Sequence, residues 1–389
     1  MAKNIVICCD GTGNQYGDRN TNVVKLFSVL PKSRREQLAW YDPGVGTFSA
    51  PAALTKTARA WTKLLGLAFG FGIQENVQDA YRYLMEHYEP QDRVFIFGFS
   101  RGAYAARALV ALIFKCGLLE RGNDNLVPYA FQILKREKRV AIYSGFRRTF
   151  SRRCGVHFLG LWDTVKSVGW VYNPLKLQFT RRNPIVKTIR HAVSIDERRS
   201  FYRQNLWGEP FAHQDVKQVW FAGVHSDVGG SYPERESGLS QIALQWMIEE
   251  AVSHGLLVDD KRRREVLGEV PAPAPAHVSP ATPAVAAAVP EAAANEAEFH
   301  APPDFRGPLH KSLHGVWWIP EILPKRYEDP KDDFKVKLKI PFGERRFIEE
   351  GALIHRSVVQ RMEAGIGYAP PNLPQQYQVV EQLPAPEEA

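Results

Sequence analysis

Apolar residues along the chain gather into short runs separated by polar turns. Five of these runs read as strands: "IVICC" (5–9), "QLAWYD" (37–42), "RVFIFGF" (93–99), "VHFLGLWD" (156–163) and "QVWFAGVH" (218–225). Each is largely apolar rather than alternating, the pattern of a strand covered on both faces. Helical patterns lie between them. "TNVVKLFSVLP" opens on a Thr-Asn start signal, and "IQENVQDAYRYLMEHY" (73–88) carries apolar residues at helical spacing. "RGAYAARALVALIFKCG" (101–117) and "LSQIALQWMIEEAVSHG" (239–255) each close on a glycine. Strands alternating with helices predict an α/β fold, a mostly parallel sheet with helices on both faces.

The pattern stops at residues 268–303, "GEVPAPAPAHVSPATPAVAAAVPEAAANEAEFHAPP", which has neither periodicity nor large apolar side chains until Phe299. Such a Pro/Ala-rich stretch reads as a disordered linker or long surface loop. Trp, Ile and Phe return beyond it, and "FKVKLKIPF" alternates as a strand does. The expected division is a catalytic core over 1–267, the Pro/Ala-rich insertion over 268–303, a segment over 304–368 packing back on the core, and a flexible tail over 369–389. The 304–368 piece is too short to hold much core of its own.

A chain of 389 residues with 44% hydrophobic composition is able to bury a large core. The N-terminus enters a strand without the apolar centre of a secretory signal, and no run reaches the roughly 18 apolar residues of a membrane-spanning helix. Cys8, Cys9, Cys116 and Cys154 show no CxxC spacing, so they read as buried small hydrophobes of a protein made in a reducing cytoplasm. The net charge of +8 is uneven. Lys135, Arg136, Lys138, Arg139, Arg147, Arg148, Arg152 and Arg153 crowd one stretch with a single acid, Glu137. That patch fits contact with an anionic membrane surface or a solvated basic face; no nucleic-acid motif accompanies it, and no nucleic-acid partner is expected. A second stretch, "TARAWTKLLGLAFGFGI" (57–73), is apolar enough to be a buried element or a lipid-touching lid, with Trp61, Leu64 and Leu65 as its contacts.

The densest chemical signal is "RVFIFGFSRGAYAARAL", where a strand ends in Gly98-Phe99-Ser100-Arg101-Gly102 and a helix follows at once. This is a G-x-S-x-G nucleophile elbow in its required strand-turn-helix setting. The sharp turn strains the serine backbone, its neighbours leave no room for a Cβ two residues to either side, and the hydroxyl stands at a helix N-terminus. A nucleophilic serine needs a histidine base and an orienting acid, which in this arrangement follow in the order Ser, acid, His. "VHFLGLWD" ends in Asp163 and "VWFAGVH" ends in His225, both where strand becomes loop. Asp196 and Asp227 compete for the acid role, and Asp227 reads better as a loop-shaping residue. His310 and His314 share i, i+4 spacing but lack the glutamate of a zinc-protease motif, so no metal and no cofactor are expected.

An ester-cleaving serine also needs donors for the oxyanion. One is the N–H of Arg101; the other is expected from "CCDGTGN" after the first strand, through Gly11 or Thr12. Asp10 in that loop either accepts hydrogen bonds that fix it, from Asn14 or Arg101, or holds a cation. A nucleotide-binding reading of the loop fails on its letters. There is no G-x-x-x-x-G-K-[ST], and "GTGNQYG" spaces its last glycine one residue too far for a dinucleotide fingerprint.

"NIVICCDGTGN…TNVVKLF", "GFSRGAYAAR", "LGLWDTV" and "VHSDVGG", with the weaker "YDPGVGT", "SIDERR" and "IHRSVVQRM", together resemble the bacterial and fungal α/β-hydrolase-like proteins that include type VI secretion phospholipase effectors. The resemblance covers roughly residues 3–240 and, more loosely, 340–365. It implies an α/β-hydrolase fold and a Ser-Asp-His esterase acting on a lipid or small ester, often with phospholipase A-type cleavage. The nucleophile position falls on Ser100, the acid on Asp163 and the base on His225. It also implies non-Sec secretion as an effector. The competing class is a non-catalytic binding or scaffold protein that keeps the fold.

Overall fold

Five apolar runs become five neighbouring or near-neighbouring strands of one sheet. The computed structural model describes residues 2–11, 17–44, 72–165, 169–170, 173–174, 177–270, 300–329 and 335–381. The strands are β1 (Asn4–Cys9), β2 (Gln37–Asp42), β3 (Arg93–Phe99), β4 (Val156–Trp162), β5 (Val186–Ser194), β6 (Asp215–Phe221), β7 (Ala352–His355) and β8 (Tyr377–Val380). Their order across the sheet is β8-β7-β6-β5-β4-β3-β1-β2, and every pairing is parallel. The chain reverses its march across the sheet at β1 and β3, which leaves a crevice at their carboxyl ends.

Helices cover both faces, so strand residues are buried whichever way they point. Cys9 faces a layer built on α2 (Ile73–His87), α3 (Arg101–Cys116) and α4 (Val127–Arg136), while Cys8 faces the layer of α1 (Asn22–Val29) and the later helix Gly238–Ser253. All four cysteines are free and buried. The Thr21 side chain caps α1 by accepting from Val24 N–H, as the Thr-Asn signal predicted.

The hydrophobic pattern does not announce β5, because Lys187, Thr188, Arg190 and His191 interrupt it. It is nonetheless central. Arg190 is buried against Glu250 Oε2 at 2.5 Å and reaches Asp215 Oδ2 at 2.5 Å, so its charge is neutralised inside the fold. Residues after 300 add β7 and β8 to the same sheet, so residues 377–380 of the expected flexible tail form its edge. Gly268 lies against His300, Ala301 and Pro302. The chain therefore leaves and re-enters at one place, and the Pro/Ala-rich residues between, 271–299, lie outside the described residues.

Candidate active site

Parallel register places three strand ends side by side. Phe99 pairs with Trp162 and Trp162 with Ala192, while Ser194 pairs with Phe221, so the residues that follow β3, β4 and β6 emerge at one edge. Ser100 N–H donates to Trp162 O at 3.0 Å and Asp163 N–H to Ala192 O at 2.8 Å, extending the ladder one residue into the turns.

Ser100 sits in the elbow with φ +59° and ψ −119°, a conformation that L-residues adopt only under constraint. The constraint is steric. A Cβ on Gly98 would lie 2.6 Å from Gly102 O, and one on Gly102 would lie 2.2 Å from Cys9 O. Glycine at both positions is what lets β3, β1 and α3 approach closely enough to hold the turn.

His225 opens the short helix α5 (His225–Gly229). Its Nε2 is 2.8 Å from Ser100 Oγ and its Nδ1 is 2.6 Å from Asp163 Oδ2. The ring is stacked on Phe99 at 4.6 Å and meets Tyr202 edge-on at 4.8 Å. Burial holds the imidazole below its ordinary proton affinity, against the Asp163 hydrogen bond and charge that pull it back up. The ring is thus neutral near pH 7 and able to accept a proton.

Asp163 is fully buried with a positive φ of +40°. Burial alone would raise its pKa, but the Arg346 charge and the His225 hydrogen bond hold it well below the usual carboxylate range. Ser194 N–H donates to Oδ1 at 3.0 Å and Ser194 Oγ–H to Oδ2 at 3.3 Å. Asp227 does not reach His225 Nδ1. Its Oδ2 accepts from Val224 N–H at 2.9 Å and fixes the turn that presents His225. Asp196 is used elsewhere, accepting from Gly223 N–H and Tyr368 Oη–H, each at 2.8 Å.

Of the oxyanion candidates, Arg101 is the first residue of α3, directly after Ser100, where a helix N–H has no partner within the helix. Gly11 N–H donates to Asp10 Oδ1 at 2.6 Å, so its donor is drawn onto the neighbouring carboxylate. Thr12 lies outside the described residues, as do Asn14, Trp61, Leu64 and Leu65. Asp10 Oδ2 accepts from Thr21 Oγ1–H at 2.7 Å and Tyr41 Oη–H at 2.8 Å, which ties the loop to α1 and β2.

Three contributors to the site were not singled out in the sequence. Glu197 accepts from His225 N–H at 3.2 Å and from Arg199 through both oxygens, and despite burial these contacts lower its pKa to about 2. Tyr202 walls the imidazole, and Arg346 pairs with Asp163. "SIDERR" pointed to the neighbourhood of Glu197; nothing local marked Arg346. His310, offered earlier with His314, instead bridges Asp227 Oδ1 at 2.6 Å and Glu236 Oε2 at 2.9 Å while stacked on Tyr232.

The basic patch is at the opposite end of the domain. Lys115, at the C-terminus of α3, donates to Leu134 O and Glu137 O, and Arg147 donates to Phe114 O. Ser100 stands at the other end of that 16-residue helix, about 24 Å away at 1.5 Å per residue. Exposed apolar side chains flank the site on the Tyr202 side, where the Arg199 guanidinium also lies over the Tyr202 and Trp317 rings. Tyr202 meets Trp317 at 5.7 Å, and around Trp317 the exposed side chains are Val316, Trp318, Ile319, Ile322 and Leu323, four of them more than half exposed.

A model of the type VI secretion phospholipase effector Tle1-like catalytic domain matches residues 3–250. An uncharacterized protein of Saccharomyces cerevisiae is 36% identical over 220 residues, covering 52% of this chain and 32% of its own. The chain thus spans about a third of that relative's length. Among solved structures, an uncharacterized protein from Pseudomonas aeruginosa aligns with TM-score 0.39 and 21% identity over 67% of this chain and 47% of its own. The Tle1 effector bound to the VgrG spike aligns with TM-score 0.34 and 19% identity over 61% and 52%.

Proposed function

The chain belongs to the Tle1-like catalytic family of type VI secretion phospholipase effectors, and we propose that it hydrolyses carboxylic esters of lipids with Ser100 as nucleophile. The observation that carries this is the unbroken hydrogen-bond chain Ser100 Oγ–His225 Nε2, His225 Nδ1–Asp163 Oδ2, assembled beyond the carboxyl ends of β3, β4 and β6. His225 takes the Ser100 proton as Oγ bonds to the acyl carbon, and the alcohol leaves with that proton. The acyl-serine is then attacked by water, activated by the same ring, releasing the fatty acid and restoring Ser100. On this reading Arg101 N–H, at the helix start, is one donor to the developing oxyanion.

Lipid rather than small soluble ester is favoured by the exposed apolar rim around Trp317, which in water is an unfavourable surface and against acyl chains is not. The family also supports export through type VI secretion, which is checked by comparing culture fractions of source cells with and without that apparatus. The mechanism is tested with Ser100→Ala. It should lose fluorophosphonate labelling and about 10⁴-fold or more of its turnover on phospholipid vesicles. Full turnover by that variant would sink the proposal.

A further inference from the structure

The triad acid is held by a residue from far outside the family-matched region. Arg346 is 5% exposed and lies in the loop before β7. Its Nη1 donates to Asp163 Oδ1 at 2.5 Å and its Nη2 to Asp163 Oδ2 at 2.9 Å, a two-point grip on the carboxylate. The guanidinium is itself fixed on its other side. Nη1 also donates to Ser194 O at 3.0 Å and Ser194 Oγ at 2.8 Å, and Nη2 donates to Tyr202 O. The loop carrying it is pinned in turn. Asn372 Nδ2–H donates to both Arg346 O and Ile195 O at 3.1 Å, Arg198 Nε–H donates to Gly343 O at 2.8 Å, and Gln204 Nε2–H donates to Phe347 O at 3.2 Å.

This arrangement does more than bury a salt bridge. A carboxylate between a neutral imidazole and apolar surroundings carries an uncompensated buried charge, which is costly. Arg346 supplies the compensation, and its planar fork also fixes the plane of the carboxylate, hence the direction of the lone pair that His225 Nδ1–H meets. Its positive charge, one carboxylate away from the imidazole, opposes protonation of His225. The other charged or titratable groups facing His225 are Asp163, Glu197 and Arg199, with Tyr202 at its edge and His191 beside Asp163.

We propose that Arg346 is a positioning residue of the hydrolytic site, fixing Asp163 so that Asp163 holds His225, and that residues beyond 300 therefore complete the reaction centre. This rests on the serine-hydrolase reading above. Arg346→Gln keeps part of the shape and removes the charge; Arg346→Lys keeps the charge and removes the fork. On full-length protein, Arg346→Gln should lower kcat on a p-nitrophenyl acyl ester, and the rate of fluorophosphonate labelling, by about 10²-fold with KM nearly unchanged, as for a misplaced catalytic group. Its activity should also set in at higher pH, because losing the positive charge makes His225 easier to protonate and only the neutral ring is active. Arg346→Lys should keep the wild-type onset while recovering part of kcat.

A folded Arg346→Gln with wild-type kcat and an unmoved pH onset overturns the proposal. Should Arg346→Gln fail to fold, Arg346→Lys decides: reduced kcat at an unmoved onset supports the role, and wild-type kcat overturns it. Wild-type protein unlabelled at Ser100 overturns both this and the serine-hydrolase reading; labelled wild type with an indifferent Arg346→Gln overturns this one alone.

Discussion

In the proposed mechanism His225 can serve as the base only while it is neutral, and burial against Phe99 and Tyr202 favours the neutral ring. Its folded-state proton affinity lies below the ordinary value, so the acid limb of kcat/KM should fall below the usual histidine midpoint of about 6.5. A profile that rises only above that midpoint would contradict the geometry. Asp163→Asn should cost about 10⁴-fold in kcat, because the amide favours the wrong imidazole tautomer, and should also lower stability, because it leaves the buried Arg346 charge without its carboxylate. Gly102 makes a different kind of demand. Its substitution by alanine pushes a methyl against Cys9 O, and denaturant titration should show a loss of about 1–3 kcal/mol or more. Ser100 and Asp163 were readable as positions because each directly follows an apolar strand; His225 was expected at a strand end too, but β6 stops at Phe221 and the histidine opens the short helix that follows. Arg346 was not readable, since its partner lies 183 residues away and an ion pair leaves no spacing in the sequence.

Among the elements, the strands with continuous apolar runs could be read almost to the residue: "RVFIFGF" is β3 and "QLAWYD" is β2. β5 could not, because a buried strand carrying Arg190 looks polar until Glu250 is known to meet it. The short helix α5 was equally hidden, its five residues holding place through the Asp227 turn rather than through periodicity. The segment after 300 is fastened to that turn by His310, whose contact with Asp227 outweighs partial burial and raises its pKa. A group with a raised folded value stabilises below its unfolded midpoint and ceases to as pH rises through the folded one. The stability difference between wild type and His310→Gln should therefore be largest in mildly acidic buffer and shrink toward alkaline pH. Thermal unfolding of the two proteins across that range measures it, and a difference independent of pH would refute the role of charge.

The whole molecule presents two very different ends. The exposed arginines and lysines of Lys135–Arg153 gather where α3 finishes, while the apolar side chains around Trp317 gather where it begins, beside Ser100. If lipid reaches the serine over the Trp317 rim, Trp318→Ser with Ile319→Ser should weaken phospholipid-vesicle turnover while sparing a monomeric ester. Arg147→Glu with Arg148→Glu should change little. The reverse pattern, read by vesicle co-sedimentation and fatty-acid release, would assign lipid contact to the basic end. The meeting of Gly268 with His300–Pro302 has a consequence of its own. Since the chain exits and returns at one point, its continuity there is dispensable to the sheet, and a break between 270 and 300 would turn one enzyme into a two-piece assembly. The larger piece would keep serine, acid and histidine; the smaller would bring β7, β8 and Arg346. Coexpressed as separate polypeptides, the halves should restore an esterase whose activity declines on dilution, behaving as a heterodimer with a dissociation constant.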